Sequence, residues 1–296
     1  MEVIIVENKE KSLPLTSINW YPGHMAKTKK QIIEDLKLID IVVEVLDARI
    51  PLASTNPDMQ EYISQKNRII VLNKADLADE KRTKEWIDYY KKNGILAIPI
   101  SATTNSGIKN VVTEIRKEYE KIKDKYVKKG RIGKAIRVMI LGIPNVGKST
   151  FINTLCKRSA AKVGNKPGVT KKKQWIKIAD NIELMDTPGM LWPKLDNKEY
   201  AIHLAYIGTI GENAVDNEEI AYNLVGYLKE NYAENIKARY NVDIEGKDTM
   251  QIIEEIARKR GAIVSGGEIN LEKISNIILN EFQSGKLGRI TIEFPR

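Results

Sequence analysis

Gly142-Ile-Pro-Asn-Val-Gly-Lys-Ser-Thr150 fits the pattern Gly-x-x-x-x-Gly-Lys-Ser/Thr, whose chemistry is the cradling of a di- or triphosphate. Such a loop aims several backbone N–H groups and the N-terminus of the next helix at one point, where negative charge is stabilised. Asn145, Val146, Gly147, Lys148, Ser149 and Thr150 are therefore the candidate phosphate-binding residues. Lys148 would reach the β/γ-phosphates, and the Ser149 hydroxyl would hold Mg²⁺. Asp186-Thr-Pro-Gly189 begins 38 residues after Lys148 and supplies a carboxylate able to hold Mg²⁺ through water. The Gly189 N–H is placed to meet the terminal phosphate. Pro167-Gly-Val-Thr170 lies between the two motifs, and Thr170 is a third candidate Mg²⁺ ligand that would sense the γ-phosphate. Segments of this kind are ordered by a triphosphate and released on hydrolysis.

A second set of residues reads a base. In Asn73-Lys-Ala-Asp76 the Asp76 carboxylate can accept two hydrogen bonds from guanine N1 and N2, while the Lys74 stem covers the ring. Asn73 would tie this turn to the base and to the phosphate loop. Adenine lacks those donors and would leave Asp76 buried and unpaired, a difference worth roughly 10⁴-fold or more in selectivity. Ser101-Ala102, after a later apolar run, completes the candidate guanine site.

These residues need strands to carry them, and each follows one. Val138 to Leu141 reads as a buried strand before the phosphate loop, and Thr150 to Lys157 as the helix after it. Ile41 to Leu46, Arg68 to Leu72 and Ile95 to Ile100 are three further β-like runs, separated by helical patterns such as Glu85 to Lys92. Ser106 to Val127 is an amphipathic helix, and Lys128 to Ala135 a flexible basic linker. Gln174 to Ala179 and Ile182 to Met185 flank Asp180-Asn181 as a hairpin. The alternation predicts an α/β fold with a doubly wound, mostly parallel sheet, where ligands bind at the carboxyl ends of the strands.

From about Glu199 the pattern turns helical, with candidates Glu199 to Ile210, Asn217 to Ala233, Asp248 to Arg260 and Leu271 to Phe282. Asp248 is a plausible N-cap and Gly261 a stop. The closing Gly288 to Phe294 reads as a short extended tail. The expected division is a P-loop domain over 1–195, its N-terminal arm 1–30 included, followed by an all-α domain over 196–296.

The chain has 296 residues, 42% hydrophobic and 29% charged, with a net charge of +9 and a pI near 9.3. That balance favours a polyanionic partner. Basic residues cluster at Lys27/Lys29/Lys30, Lys128/Lys129/Arg131/Lys134, Lys171 to Lys173 and Arg258-Lys-Arg260. No apolar run approaches the ~20 residues of a membrane span. Cys156 is the only cysteine, which excludes a disulfide framework and a cysteine metal site and leads us to expect a reducing, cytoplasmic setting. His203 shares an apolar helical face with Tyr200, Leu204 and Ile207, so a structural role is expected of it.

The order of motifs is unusual. Ordinary GTPases place phosphate and switch motifs before the base-reading ones, whereas here Asn73 to Asp76 and Ser101-Ala102 come first. The P-loop GTPase domain is therefore read as circularly permuted, with Lys128 to Ala135 joining the old ends. The helical domain then follows directly after Asp186 to Met190, the segment that moves with the γ-phosphate.

Together with Trp20-Tyr-Pro-Gly-His-Met-Ala-Lys27 and Asp47-Ala-Arg-Ile-Pro51, these motifs resemble those of the circularly permuted GTPases that assist ribosome assembly. The resemblance covers the whole chain. It implies a GTP-hydrolysing assembly factor for the large ribosomal subunit, stimulated by the ribosomal particle. The implied partners are GTP or GDP and the subunit precursor with its rRNA, bound by the helical domain and basic surfaces. No membrane partner is implied, and the protein is expected to be monomeric off the ribosome. Many GTPases orient water with a Gln after the Asp-x-x-Gly motif; here that position is Met190, which has no polar group. The resemblance assigns the task to His24 as the catalytic residue. It also matches Asn145 to an Asn that holds K⁺ in related GTPases, making K⁺ a second candidate cation beside Mg²⁺. The alternative reading is a binding module in which GTP gates RNA affinity and hydrolysis is incidental.

Overall fold

The computed structural model describes residues 24–128, 130, 134–163, 175–179, 181–187, 189, 197–210 and 215–295. These fall into two compact units, one drawn from Tyr21–Asp196 together with Gly288–Arg296, the other from Asn197–Leu287.

The first unit is built on a six-stranded sheet. Its strands are β1 (Ile41–Asp47), β2 (Asn67–Asn73), β3 (Leu96–Pro99), β4 (Ile136–Leu141), β5 (Trp175–Ala179) and β6 (Ile182–Asp186). They are ordered β3-β2-β1-β4-β6-β5, all parallel except the β5–β6 hairpin. Ile41, Val42, Val43, Val45, Leu46 and Ile69 to Leu72 are wholly buried. Near-continuous apolar strands are what a parallel sheet covered on both faces demands.

The helices are α1 (His24–Leu36), α2 (Pro57–Ile63), α3 (Glu80–Lys92), α4 (Ile108–Val127) and α5 (Lys148–Val163). Ile32, Leu36, Met59 and Ile63 pack on Val42, Met139 and Met185. Trp86 and Tyr90 pack with Leu46, Ile70 and Leu72. Periodicity alone does not reveal α2, which is too short to show a repeating face. It is started by Asn56, whose side chain accepts from Asp58 N, with Pro57 in the first turn, where its missing N–H costs nothing.

Read from β4, the chain fills one edge through β5 and β6, and the strands β1, β2 and β3 then fill the other. The crevice of such a two-sided sheet lies where the winding reverses, at β4 and β1. The permuted connection therefore leaves the sheet intact. Near the join, Asp40 fixes both sides: its carboxylate accepts from Tyr126 Oη, from Lys134 Nζ at 3.0 Å and from Arg137 N at 2.8 Å.

The second unit contains α6 (Lys198–Tyr206), α7 (Asn217–Asn231), α8 (Ala233–Tyr240), α9 (Thr249–Arg260) and α10 (Leu271–Gln283). α9 has the caps its sequence announced: Asp248 accepts from Gln251 N in a capping box, and Gly261 closes the helix at φ 63°. The helix expected over Asn217 to Ala233 instead ends at Asn231, and α8 starts anew beyond Tyr232, whose φ of −140° and ψ of 41° break the helical path. His203 is buried and stacks on Tyr206, their ring centroids 6.0 Å apart, a packing role as expected. No described helix is long and apolar enough to cross a membrane.

The closing segment, assigned by sequence to the helical domain, groups with the sheet unit. Ile290, Thr291 and Ile292 are buried, and Trp86 Nε1 donates to Glu293 O at 3.1 Å. The polar Thr291 and Glu293 are buried with Ile290 and Ile292, and through them the tail bonds to α3 and to the turns after β1 and β2.

Candidate functional site

β4 delivers the chain into the phosphate loop, and α5 begins at Lys148, so the loop sits at the helix N-terminus. The turn needs two left-handed residues, Asn145 at φ 64° and Gly147 at φ 86°. At Gly147 only a hydrogen fits: a Cβ there would lie 2.3 Å from Asn73 Nδ2. Asn73, at the end of β2, is buried and reaches across to this loop. Its Nδ2 donates to Val146 O at 2.8 Å, and its Oδ1 accepts from Ala102 N at 3.1 Å. Thr154 Oγ1 of α5 donates to Ala102 O at 3.1 Å. Asn73 thus locks the phosphate loop, its own turn and the Ser101-Ala102 turn into one body.

Lys74 is held in the left-handed region at φ 60°. Its Nζ donates to Asn145 O at 2.6 Å and lies 3.0 Å from Asp47 Oδ2. Asp47 is fully buried and receives the Arg49 guanidinium through two bonds of 2.9 Å. Burial by itself would push the Asp47 carboxyl up, but Arg49 and Lys74 overcome it and hold the group well below the usual carboxylate range. An ionised Asp47 therefore anchors Lys74 from beneath. The sequence showed Asp47 and Arg49 at the end of a strand, yet nothing local linked them to Lys74. The link comes from the β1–β2 register, which sets Asp47 beside Asn73.

Lys148 and Asp186 meet in the cleft, Nζ to Oδ1 at 2.5 Å, with Lys148 buried and Asp186 partly open. The cleft has a volume of roughly 900 Å³, and its walls include Lys74, Asn145, Gly147, Lys148, Ser149, Thr150, Asp186 and Gly189. Val146 is buried behind the wall. Asp76 is exposed on the adjoining turn rather than on the wall, and Ser101 and Ala102 are buried behind it, joined to the loop through Asn73. Thr170 and Met190 lie outside the described residues, as does the side chain of His24, whose backbone opens α1. Cys156 on α5 is half-buried, and burial raises its thiol.

For a divalent ion the cleft wall offers the Ser149 hydroxyl and the Asp186 carboxylate. Among the described residues no group of three or more His, Cys, Asp or Glu forms a closed metal cage. Few hard oxygen donors beside a phosphate cradle fit Mg²⁺, which takes most of its ligands from phosphate and water.

Strand-end loops at a switch point, a phosphate loop at a helix N-terminus and the Asn73 to Asp76 turn docked on it define the class: a circularly permuted P-loop GTPase. Comparison with known proteins narrows this. Residues 137–256 match the family model described as 50S ribosome-binding GTPase. The chain is 44% identical to ribosome biogenesis GTPase A of Bacillus cereus, over 94% of each chain. It is 35% identical to the protein of that name from Thermotoga maritima, over 94% of this chain and 95% of that one. The crystal structure of GNP-bound YlqF from T. maritima superposes with a TM-score of 0.63 at 30% identity, covering 91% of this chain and 99% of that one. The chain belongs to the ribosome biogenesis GTPase A family, and its reaction is the hydrolysis of GTP.

Proposed function

We propose that the protein is a GTP-dependent switch in maturation of the large ribosomal subunit, with hydrolysis stimulated by the ribosomal particle. The observation that carries the nucleotide half of this reading is the double hydrogen bond of Asn73. It ties the phosphate loop to the two turns that this reading assigns to the base. The relatives' names, ribosome biogenesis GTPase A and mitochondrial ribosome-associated GTPase 1 of Xenopus tropicalis at 32% identity, support the ribosomal half. Action in the cytoplasm as a monomer, away from membranes, belongs to the same reading.

In this mechanism Asp76 accepts from guanine N1 and N2, the Lys74 stem covers the ring, and Ser101 and Ala102 close the base site. Asn145, Val146, Gly147, Ser149, Thr150 and Gly189 line the triphosphate. Lys148 leaves Asp186 for the β/γ-phosphates, which frees the Asp186 carboxylate to act with Ser149 and Thr170 as metal ligands. Ser149 and Asp186 would hold Mg²⁺, which would supply positive charge against the phosphate. Asn145 is the candidate ligand for K⁺, which a comparison of turnover in K⁺ and Na⁺ would test. His24 orients or deprotonates the attacking water, because Met190 cannot.

The test is sedimentation with large-subunit precursors. Binding that appears with a non-hydrolysable GTP analogue and is lost with GDP is expected, whereas equal binding in both states would sink the switch. The second reading, a GTP-gated RNA-binding module, rests on the basic end of α9. It is favoured if a hydrolysis-dead variant that still binds GTP supports subunit maturation.

A further inference from the structure

The closing segment binds the backbone from Ala75 to Asp79, which is the end of the Asn73 to Asp76 turn and the three residues after it. Arg289 Nη2 donates to Ala75 O at 3.0 Å and Nε to Ala78 O at 2.8 Å. Ile290 N donates to Leu77 O at 3.0 Å, and Thr291 Oγ1 accepts from Asp79 N at 3.0 Å. Three carbonyls and one N–H between Ala75 and Asp79 are therefore satisfied by three consecutive residues from the other end of the chain.

The same segment then crosses to the loop after β1. Ile292 N donates to Arg49 O at 2.8 Å, while the buried Glu293 carboxylate accepts from Leu52 N at 2.6 Å and Ala53 N at 3.0 Å. The two loops clasped in this way are those that carry Lys74 and its anchor Asp47.

The turn has reason to need a clasp. Lys74 holds a left-handed conformation that costs a non-glycine residue of order 1 kcal/mol, and such a conformation persists only where its surroundings over-determine it. Asp76 is exposed, so packing of its own side chain does not fix it. The backbone on either side must do so: Ala75 N donates to Ile100 O at 3.0 Å and Leu77 N to Lys74 O at 2.9 Å, and Arg289 and Ile290 hold the carbonyls of Ala75 and Leu77.

We propose that Arg289 to Glu293 is a positioning element of the guanine site. It sets the place of Asp76 and Lys74 without touching the nucleotide, and Arg289 is its principal positioning residue. The proposal rests on Asn73 to Asp76 being the guanine reader.

The experiment measures dissociation of fluorescent GDP and IDP from the full chain carrying R289A, R289K, T291V or, as control, D76A. IDP lacks the 2-amino group, so the ratio of the two off-rates reports base reading apart from phosphate holding. R289A is expected to raise the GDP off-rate roughly tenfold and the IDP rate by less, since two charge-assisted bonds to a half-exposed guanidinium are removed. R289K should lie between, because one ammonium cannot span both carbonyls in the fork geometry of a guanidinium. T291V should act in the same direction and stands in if R289A does not fold. A GDP off-rate within twofold of wild type, measured well below the melting midpoint, would overturn the proposal. So would equal rises for GDP and IDP, the signature of general loosening. If D76A leaves the GDP/IDP ratio unchanged, the guanine reading itself has failed and takes this proposal with it, whatever Arg289 does.

Discussion

Asn73 and Val146 stand 73 residues apart in the chain, yet the Asn73 amide donates to the Val146 carbonyl at 2.8 Å. The bond joins the end of β2 to the middle of the phosphate loop. Replacing Asn73 with Ala removes both this bond and the one from Ala102 N, leaving buried backbone groups unpaired at roughly 1–3 kcal/mol each. GTP and GDP are expected to bind roughly a hundredfold more weakly to N73A in a fluorescent-nucleotide titration. A loss under threefold would show that the loops dock without this residue.

Asp47 gives a pH-dependent expectation. Its folded-state pKa is depressed by Arg49 and Lys74 against the opposing effect of burial. A depressed carboxyl contributes stability above its unfolded value, near 3.9, and loses it as pH falls toward the folded value. D47N leaves Arg49 buried without its counter-charge and should cost roughly 3–5 kcal/mol. The gap in melting midpoint between wild type and D47N is expected to stay level from pH 7 to about 4 and to narrow below that. A gap that closes between pH 7 and 5 would assign the effect to another group.

His24 carries the proposed water-orienting role. H24A is expected to lower turnover on the ribosomal particle roughly 10²–10⁴-fold, with GTP affinity unchanged. Single-turnover hydrolysis beside equilibrium binding separates the two, and equal rates would remove His24 from the mechanism.

The basic end of α9 divides once the structure is known. Arg260 is committed within its own unit, 3.2 Å from Glu281 Oε1 and with its guanidinium 5.1 Å from the centre of the Tyr240 ring. Arg258 and Lys259 are exposed. Neutralising those two should flatten the dependence of log K on log salt for rRNA binding by about 0.7–0.9 for each phosphate they had paired with. R260Q should instead lower the melting temperature, and an unchanged salt slope in the Arg258/Lys259 double variant would place the RNA surface elsewhere.

Several features carried by a short stretch of chain were legible in the sequence, although α2 and the break at Tyr232 were not. The phosphate loop from Gly142 to Thr150, the turn from Asn73 to Asp76, the hairpin after the phosphate helix and the Asp248 and Gly261 caps are local. Their residue types follow from local dihedral needs and from the capping bonds they make. Motif order along the chain was enough to show the permutation. The tertiary structure alone decided which distant groups pair. Strand register set Asp47 beside Asn73 and so placed an anchor under Lys74, and it brought Asp186 to Lys148. Packing groups Gly288 to Phe294 with the sheet unit, against the backbone from Ala75 to Asp79. The alternation of Ile290 and Ile292 with Thr291 and Glu293 announces one buried side, yet all four residues are buried. Which surface buries them depends on unpaired backbone groups far away in the chain, and only the folded protein brings those within reach.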